Sequence, residues 1–235
     1  ELFNAYPRAK GIMPIGLPGH NSALESMPFD PVAAKALWDQ VLEEKSLAPS
    51  EIKIKLATAG VVNKVLIEIA QAWSDNLGVE VSLLQIGGIS DFTLEATNAQ
   101  FFETGWVADY PDPQNFLDIL FHSKAPNNYG NYNNPLVDKL IEEARSESDK
   151  SLRVQMYQQA ENLLVQDAAT IPMWFTTNYS LVKPDVLNWS LSAQDVPDLV
   201  GVSLTRVLAP LPTPTPVPTP KPTPSPTPGG KIATV

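Results

Sequence analysis

The chain has 235 residues and a formal net charge of −10, with 43% hydrophobic and 18% charged residues. The acidic balance argues against a nucleic acid or an anionic membrane surface as the main partner, because both need a basic face. The sequence contains no cysteine, which excludes disulfides, thiolate catalysis and cysteine-based zinc sites. No apolar run reaches the roughly 18 residues of a transmembrane helix.

The first 28 residues are punctuated by prolines and glycines. This pattern predicts an extended connector, and we expect the chain to be a piece of a longer protein. A helix is predicted from Asp30 and Pro31, because aspartate caps helices and proline suits their first position. The positions of this helix that are expected to be buried are Ala34, Leu37, Trp38, Val41 and Leu42.

The next segment has the pattern of a strand–helix–strand unit. Residues 52–56 alternate apolar and charged side chains, which predicts a strand with one wet face. Residues 61–77 have helical periodicity and end at Gly78, and residues 79–86 read as a second strand. Such units cross over right-handedly, so the two strands should be parallel. After them, Ser90 is expected to cap a short helix that ends near Asn98.

Residues 101–121 predict a strand, a tight turn and a helix. The strand is expected to be buried and to run from Phe101 to Val107, and the prolines that follow end it. Asp112 is expected to cap the helix, with Pro113 at its first position. The turn then lies at the carboxyl end of a strand, where α/β sheets bind ligands. Asp109 would lie there beside a large aromatic side chain and could bind a cation.

The second half of the chain predicts two helices in a hairpin, preceded by a polar loop at residues 122–133. The first helix starts at Asn134 and Pro135, and the second follows Asp149. The positions expected to be buried are Leu136, Leu140, Ile141 and Ala144 in the first helix and Leu152, Met156, Leu163 and Leu164 in the second.

The pattern of the remaining residues is weaker. Residues 171–177 and 179–182 are predicted to be strands, and residues 184–200 show little periodicity. Residues 209–228 have proline at about every second position, which predicts an extended spacer. Residues 229–235 resemble the first strand of a further module.

Each candidate site residue has a plain structural alternative. Asp109 could simply accept backbone N–H groups of its own turn, and Trp106 could be ordinary core. Tyr129 and Tyr132, in the polar loop, either form part of a binding rim or lie in a solvated turn. Asp109 and Asp112 would be a candidate pair for glycoside hydrolysis, but neighbours on one turn seldom face each other across a bond.

No other pattern in the sequence supports catalysis. The two histidines, His20 and His122, lie far apart in loops, which makes a metal site or a serine–histidine–aspartate set a weak interpretation. There is no nucleophile elbow. The residues therefore predict no catalytic residue, no metal site and no cofactor.

Three segments resemble the motifs of one protein family. Residues 28–37 resemble "Y-D-P-x-x-A-K-x-L-L", residues 105–113 resemble "G-W-x-A-D-Y-x-D-P", and residues 131–140 resemble "Y-x-N-P-x-V-D-x-L". In this order and spacing, residues 1 to about 208 are similar to the carboxyl-terminal half of the extracellular solute-binding proteins of the dipeptide/oligopeptide ABC-importer family (family 5 type).

The resemblance implies an α/β fold, a periplasmic-binding-protein type II-like lobe with a mixed sheet flanked by helices. The implied domains are a hinge connector from a missing amino-terminal lobe, the ligand-binding lobe, a return segment to the other lobe, a Pro/Thr-rich linker and the start of a possible further module. Their boundaries are residues 1–28, 29–182, 183–208, 209–228 and 229–235.

The resemblance also implies a function and a site. The protein would be the substrate-binding component of an ABC import system, a monomer on the extracellular face or in the periplasm, anchored to the membrane when full length. Its partners would be a peptide, or else an oligosaccharide, and the permease subunits; nickel and haem binders also belong to the family. Asp109 would pair with the ligand's α-amino group, Gly105 to Val107 would run beside the ligand backbone, and Trp106 would wall a side-chain pocket. Tyr110 and Tyr132 complete the predicted ligand-binding set.

Overall fold

The structure is a computed structural model that describes residues 6–87, 99–192 and 194–205. The helix expected between Ser90 and Asn98, the Pro/Thr-rich linker at 209–228 and the module expected at 229–235 lie outside the described residues. In the described part of the chain, no helix is long and apolar enough to cross a bilayer.

A three-stranded parallel sheet with helices packed on it confirms the predicted α/β class. Its elements in chain order are β1 (Lys53–Thr58), α2 (Lys64–Leu77), β2 (Glu80–Gln85) and β3 (Phe101–Glu103). The strand order is β2-β1-β3, and both pairings are parallel, as the strand–helix–strand pattern predicts. Gly78 ends α2 in the left-handed conformation, with φ +73.

The strand β3 is shorter than predicted and lies at the edge of the sheet. Its last residue, Glu103, pairs with Thr58, which is also the last residue of β1. The sheet therefore offers no further partner to Gly105, Trp106 and Val107, and the chain leaves it without regular structure. The prediction of a buried strand through Val107 is wrong, because the partner strand ends too soon.

The helix α1 (Pro31–Lys45) begins as predicted, since the Asp30 side chain accepts the N–H of Ala33 at 2.8 Å. Its predicted buried face is largely wrong. Leu42 is buried and Trp38 half-buried, but Ala34, Leu37 and Val41 are exposed. The main described neighbour of α1 is α2, which covers only a narrow part of its surface.

The main core lies between α3 (Gln114–Phe121), α4 (Pro135–Ser146) and α5 (Lys150–Gln166). Helices α4 and α5 form the predicted hairpin, with Asn134 and Asp149 as their side-chain caps. The connector before α1 contributes two buried residues to this main core. The buried residues of the core are Met13, Leu17, Phe116, Leu117, Val137, Ile141, Ala144, Tyr157, Ala160 and Leu164.

Two hairpin positions predicted to be buried are exposed. Leu136 and Leu152 face solvent, while Val137 and Tyr157 are fully buried. The buried stripe of each helix is rotated from the predicted one, because the facing helix and the connector decide which side is covered, not hydrophobicity alone.

Residues 171–182 form no strand, which corrects the prediction of two strands there. Instead, Phe175 donates its N–H to the carbonyl of Pro7 at 2.9 Å, and a single bridge joins Trp174 to Arg8. This segment therefore pairs with the connector. The chain then forms two small antiparallel ribbons, β4 with β7 and β5 with β6. Their strands are Val186–Leu187, Ser190–Leu191, Pro197–Asp198 and Ser203–Leu204.

Candidate functional site

The turn between β3 and α3 carries most of the predicted ligand-binding residues, and a buried amide holds it together. Asn115, at the start of α3, is fully buried. Its side-chain oxygen accepts the indole N–H of Trp106 at 3.0 Å and the backbone N–H of Asp109 at 3.1 Å. Its side-chain nitrogen lies 3.5 Å from Oδ2 of Asp109, at the outer limit of a hydrogen bond. One side chain thus brings Trp106 and Asp109 together, as the sequence predicts.

The Asp109 carboxylate points to the open surface. The residue is exposed, and its one described side-chain hydrogen bond is the long contact with Asn115. The structure therefore does not show the structural alternative, in which the carboxylate accepts the backbone N–H groups of its own turn. In that turn the backbone N–H of Asp109 is a donor, not the partner of its carboxylate.

The stretch before Asp109 is equally open. Gly105 and Val107 are exposed, Val107 by 78%, while Trp106 is half-buried against the main core. Within residues 6–87, 99–192 and 194–205, the N–H groups of Gly105 and Val107 donate to no other backbone group. The backbone carbonyl of Ala108, the residue after Val107, accepts a hydrogen bond from the Gln194 side chain at 3.1 Å.

Asp112 has a structural role, because its carboxylate is held by hydrogen bonds within the fold and is not available as a catalytic acid. The helix begins one residue later than predicted, with Pro113 in the capping position, yet the Asp112 carboxylate still accepts the N–H of Gln114 at 2.9 Å. It also binds both terminal nitrogens of Arg153, at 2.7 and 2.8 Å. A carboxylate held by an arginine fork does not act as a general acid, so the glycosidase interpretation is wrong on its geometry.

The two predicted tyrosines lie in different surroundings. Tyr110 is exposed, and its hydroxyl bonds the side chain of Gln114 on α3. Tyr132 packs on the main core and donates its hydroxyl to Asp167 at 2.6 Å. Burial and this bond raise the pKa of the Tyr132 phenol. No hydrogen bond or ring contact joins Tyr132 to the Asp109 turn in the part of the chain described.

Sequence reasoning missed Asn115 and Arg153. An asparagine in the first turn of a helix has many possible partners, and only the fold shows that it reaches back to Trp106 and Asp109. Arg153 lies 41 residues from Asp112, and no local spacing links the two. The one available signal was that Arg153 follows the helix cap Asp149 by four residues, on the turn that faces α3.

The turn lines neither of two cavities in the described part of the chain. One cavity, of about 220 Å³, is lined by the connector with Glu161 and Phe175, and another, of about 390 Å³, lies between α4 and α5. Neither is lined by residues 105–113. Among the described residues, no group of three or more His, Asp or Glu side chains is arranged to hold a metal ion.

Residues 2–128 match the family model described as "Bacterial extracellular solute-binding proteins, family 5 Middle". That segment is more than half of the 235 residues. The chain belongs to the family 5 solute-binding proteins. Membership confirms the resemblance carried by the three motifs, and it places the chain among binding proteins, not enzymes.

Individual family 5 proteins show the same relationship. The chain is 35% identical over 130 residues to the periplasmic oligopeptide-binding protein OppA of Salmonella typhimurium, covering 54% of this chain and 23% of that protein. It is 29% identical over 167 residues to the periplasmic murein peptide-binding protein MppA of Escherichia coli, covering 68% and 31%. The chain thus spans about a quarter to a third of the length of these relatives.

A solved structure confirms the fold of this family 5 chain. HbpA2 from Haemophilus parasuis superposes with a TM-score of 0.73 at 25% identity, covering 87% of this chain and 42% of that one. The α/β lobe predicted from the sequence is therefore the lobe of a periplasmic binding protein.

Proposed function

We propose that the full-length protein is the substrate-binding component of an ABC import system and captures oligopeptides or dipeptides between two lobes. The observation that carries the proposal is the exposed carboxylate of Asp109, on a turn that buried Asn115 fixes beside Trp106. The names of the relatives OppA and MppA, an oligopeptide-binding and a murein peptide-binding protein, support the ligand class.

Asp109 pairs with the α-amino group of the ligand. In a closed and dry cleft, an ammonium–carboxylate hydrogen bond is worth about 1.5–3 kcal/mol. On the open surface that this chain presents, the same pair is exposed to water and worth about 0–1 kcal/mol. The isolated chain is therefore expected to bind peptide weakly, since it supplies one wall of the cleft.

The backbone of Gly105 to Val107 lies beside the ligand. Its N–H groups have no backbone partner among the described residues, so a ligand can pair with them as an added strand. This mode of recognition reads the peptide backbone and tolerates many side chains. Trp106 forms a wall for a ligand side chain, and Tyr110 and Tyr132 complete the proposed ligand-binding set.

The remaining partners follow from the import role. Closure of two lobes on the ligand is the signal that the permease subunits read. The protein acts as a monomer on the extracellular face or in the periplasm, with a membrane anchor in the full-length protein. Residues 1–28 and 183–208 are the two crossings between the lobes.

Isothermal titration of the full-length protein tests the proposal. A peptide is compared with its N-acetylated twin, which keeps every atom of the peptide backbone but has no ammonium. We expect acetylation to weaken binding about 10- to 100-fold, because it removes the charge-assisted bond with Asp109. In Asp109→Asn the two ligands should bind with similar affinity.

Asp75→Asn is the matched control, because Asp75 is an exposed aspartate on α2 outside the turn. It should discriminate between the two peptides as the wild type does. Equal wild-type affinities for the peptide and its acetylated twin would remove Asp109 from its role. Binding of glycans without any binding of peptides would favour an oligosaccharide receptor instead.

A further inference from the structure

Asn115 is fully buried, and its side chain hydrogen-bonds both Trp106 and Asp109. Its amide has one acceptor oxygen and one donor nitrogen, and the structure directs both at the turn. The oxygen serves two donors, the Trp106 indole and the Asp109 backbone N–H. A buried amide is costly unless its bonds are made, so this side chain strongly favours one arrangement of the turn.

The contacts constrain the carboxylate in two ways. The bond to the Asp109 backbone N–H fixes where the Cα of Asp109 lies relative to α3. The side-chain nitrogen of Asn115 lies 3.5 Å from Oδ2, which biases the rotation of the carboxylate. The bond to the indole holds Trp106 at a set distance from the same group.

We propose that Asn115 is a positioning residue that sets selectivity for ligands with a free amino terminus. The inference rests on the proposed function, because it assigns to Asn115 the orientation of the carboxylate that receives the ammonium. Asn115 itself is fully buried and does not touch the ligand. It acts through Asp109, whose carboxylate would otherwise sample several orientations on an exposed turn.

The test is the discrimination ratio, the affinity for a peptide divided by the affinity for its N-acetylated twin, measured by titration of the full-length protein. In Asn115→Ala we expect this ratio to fall about 10-fold, since an unfixed carboxylate loses most of a charge-assisted bond. A purely structural role would weaken both ligands equally and leave the ratio unchanged, which would overturn the proposal.

Asn115→Ser is measured in parallel, because its hydroxyl can accept one of the two N–H donors and helps the variant to fold. We expect its ratio to lie between those of the wild type and Asn115→Ala. Failure of both variants to unfold cooperatively would assign Asn115 to the fold and would also overturn the proposal.

Asn63→Ala is the matched control. The Asn63 side chain caps α2 by accepting the N–H of Leu66, and no hydrogen bond joins it to residues 105–113 in the described part of the chain, so this variant should lose stability and keep the ratio. Asp109→Asn distinguishes failure of the positioning role of Asn115 from failure of the proposed function. A ratio lost in Asp109→Asn but kept in Asn115→Ala contradicts only the positioning role, whereas a ratio kept in Asp109→Asn contradicts the proposed function.

Discussion

The carboxylate of Asp112 accepts hydrogen bonds from the Gln114 N–H and from both terminal nitrogens of Arg153. Burial alone would raise the pKa of Asp112, but the bonds from Arg153 and Gln114 outweigh it, and the pKa is lowered from 3.8. Arg153 also lies 5.0 Å from the ring centre of Tyr157 and donates to the carbonyl of Ala144. The base of the turn is thereby joined to both helices of the hairpin.

A double-mutant cycle on Asp112→Asn and Arg153→Met should give a coupling energy of about 1–3 kcal/mol at pH 7, measured by urea denaturation. A folded-state pKa below the unfolded value means that this stability is present above pH 3.8 and is lost as the pH falls through the lowered pKa.

The exposed pair of Lys35 and Asp39 on α1 is the control for that cycle. Its coupling should stay below about 0.5 kcal/mol. Equal coupling energies for the two pairs, or a coupling at the turn that does not change with pH, would contradict the assigned role of the Asp112–Arg153 pair.

The structural role of a single residue could be predicted where its partners lie within a few residues in the sequence. Asp30, Asn134 and Asp149 cap helices as expected, because a side-chain oxygen next to a helical pattern needs no distant partner. Asp109 is exposed and Trp106 is half-buried, and their role in ligand binding stays a prediction. Asn115 could not be identified, since its importance comes from two contacts made 6 and 9 residues away across a turn.

At the scale of elements, the connector before α1 is packed into the core. Met13 and Leu17 are buried with α3, α4 and α5. The N–H groups of Ile12 and Met13 donate to Glu161 on α5, at 2.6 and 2.8 Å. Burial raises the pKa of the Glu161 carboxyl despite these two bonds. The connector is therefore anchored to the helix hairpin.

Gly19→Ala tests a second contact of the connector, with Pro113 next to α3. Gly19 has φ +89, and a Cβ there would lie 2.6 Å from Cγ of Pro113, the ring that precedes α3. We expect this substitution to cost about 1–3 kcal/mol more than Gly78→Ala in urea denaturation, because overpacking adds to the strain of a positive φ.

Gly78 is the matched control, since it has φ +73 and nothing within 4 Å of an added Cβ. Both variants lose stability because alanine strains a left-handed backbone, so the difference between their free energies of unfolding isolates the contact between the connector and Pro113. Equal losses of stability would show that Gly19 does not pack closely on Pro113.

The elements with strong local signals were predicted, and those set by distant partners were not. The starts of α1, α4 and α5, the end of α2 and the parallel pairing of β1 and β2 agree with the sequence pattern, whereas α2 begins at Lys64, three residues later than predicted. The length of β3 depends on where β1 ends, and the buried face of α1 depends on what covers it. The ribbons of β4 to β7 have strands of two residues, too short for any periodicity.

At the scale of the whole molecule, we propose that the chain presents one wall of a site. The Asp109 turn is exposed and lines neither of the two cavities described above. The relatives are three to four times as long as the matched part. We propose that the second wall belongs to another lobe of the full-length protein. The physical reason is that a single ammonium–carboxylate pair gains little until water is excluded from it.

The most direct measurement is the crystal structure of the full-length protein with a bound peptide. The account predicts that the amino nitrogen of the ligand lies about 2.7–2.9 Å from a carboxylate oxygen of Asp109, with the Asn115 amide still bonded to Trp106 and the Asp109 backbone. A peptide whose amino end lies away from Asp109, with that carboxylate left in solvent, would contradict it.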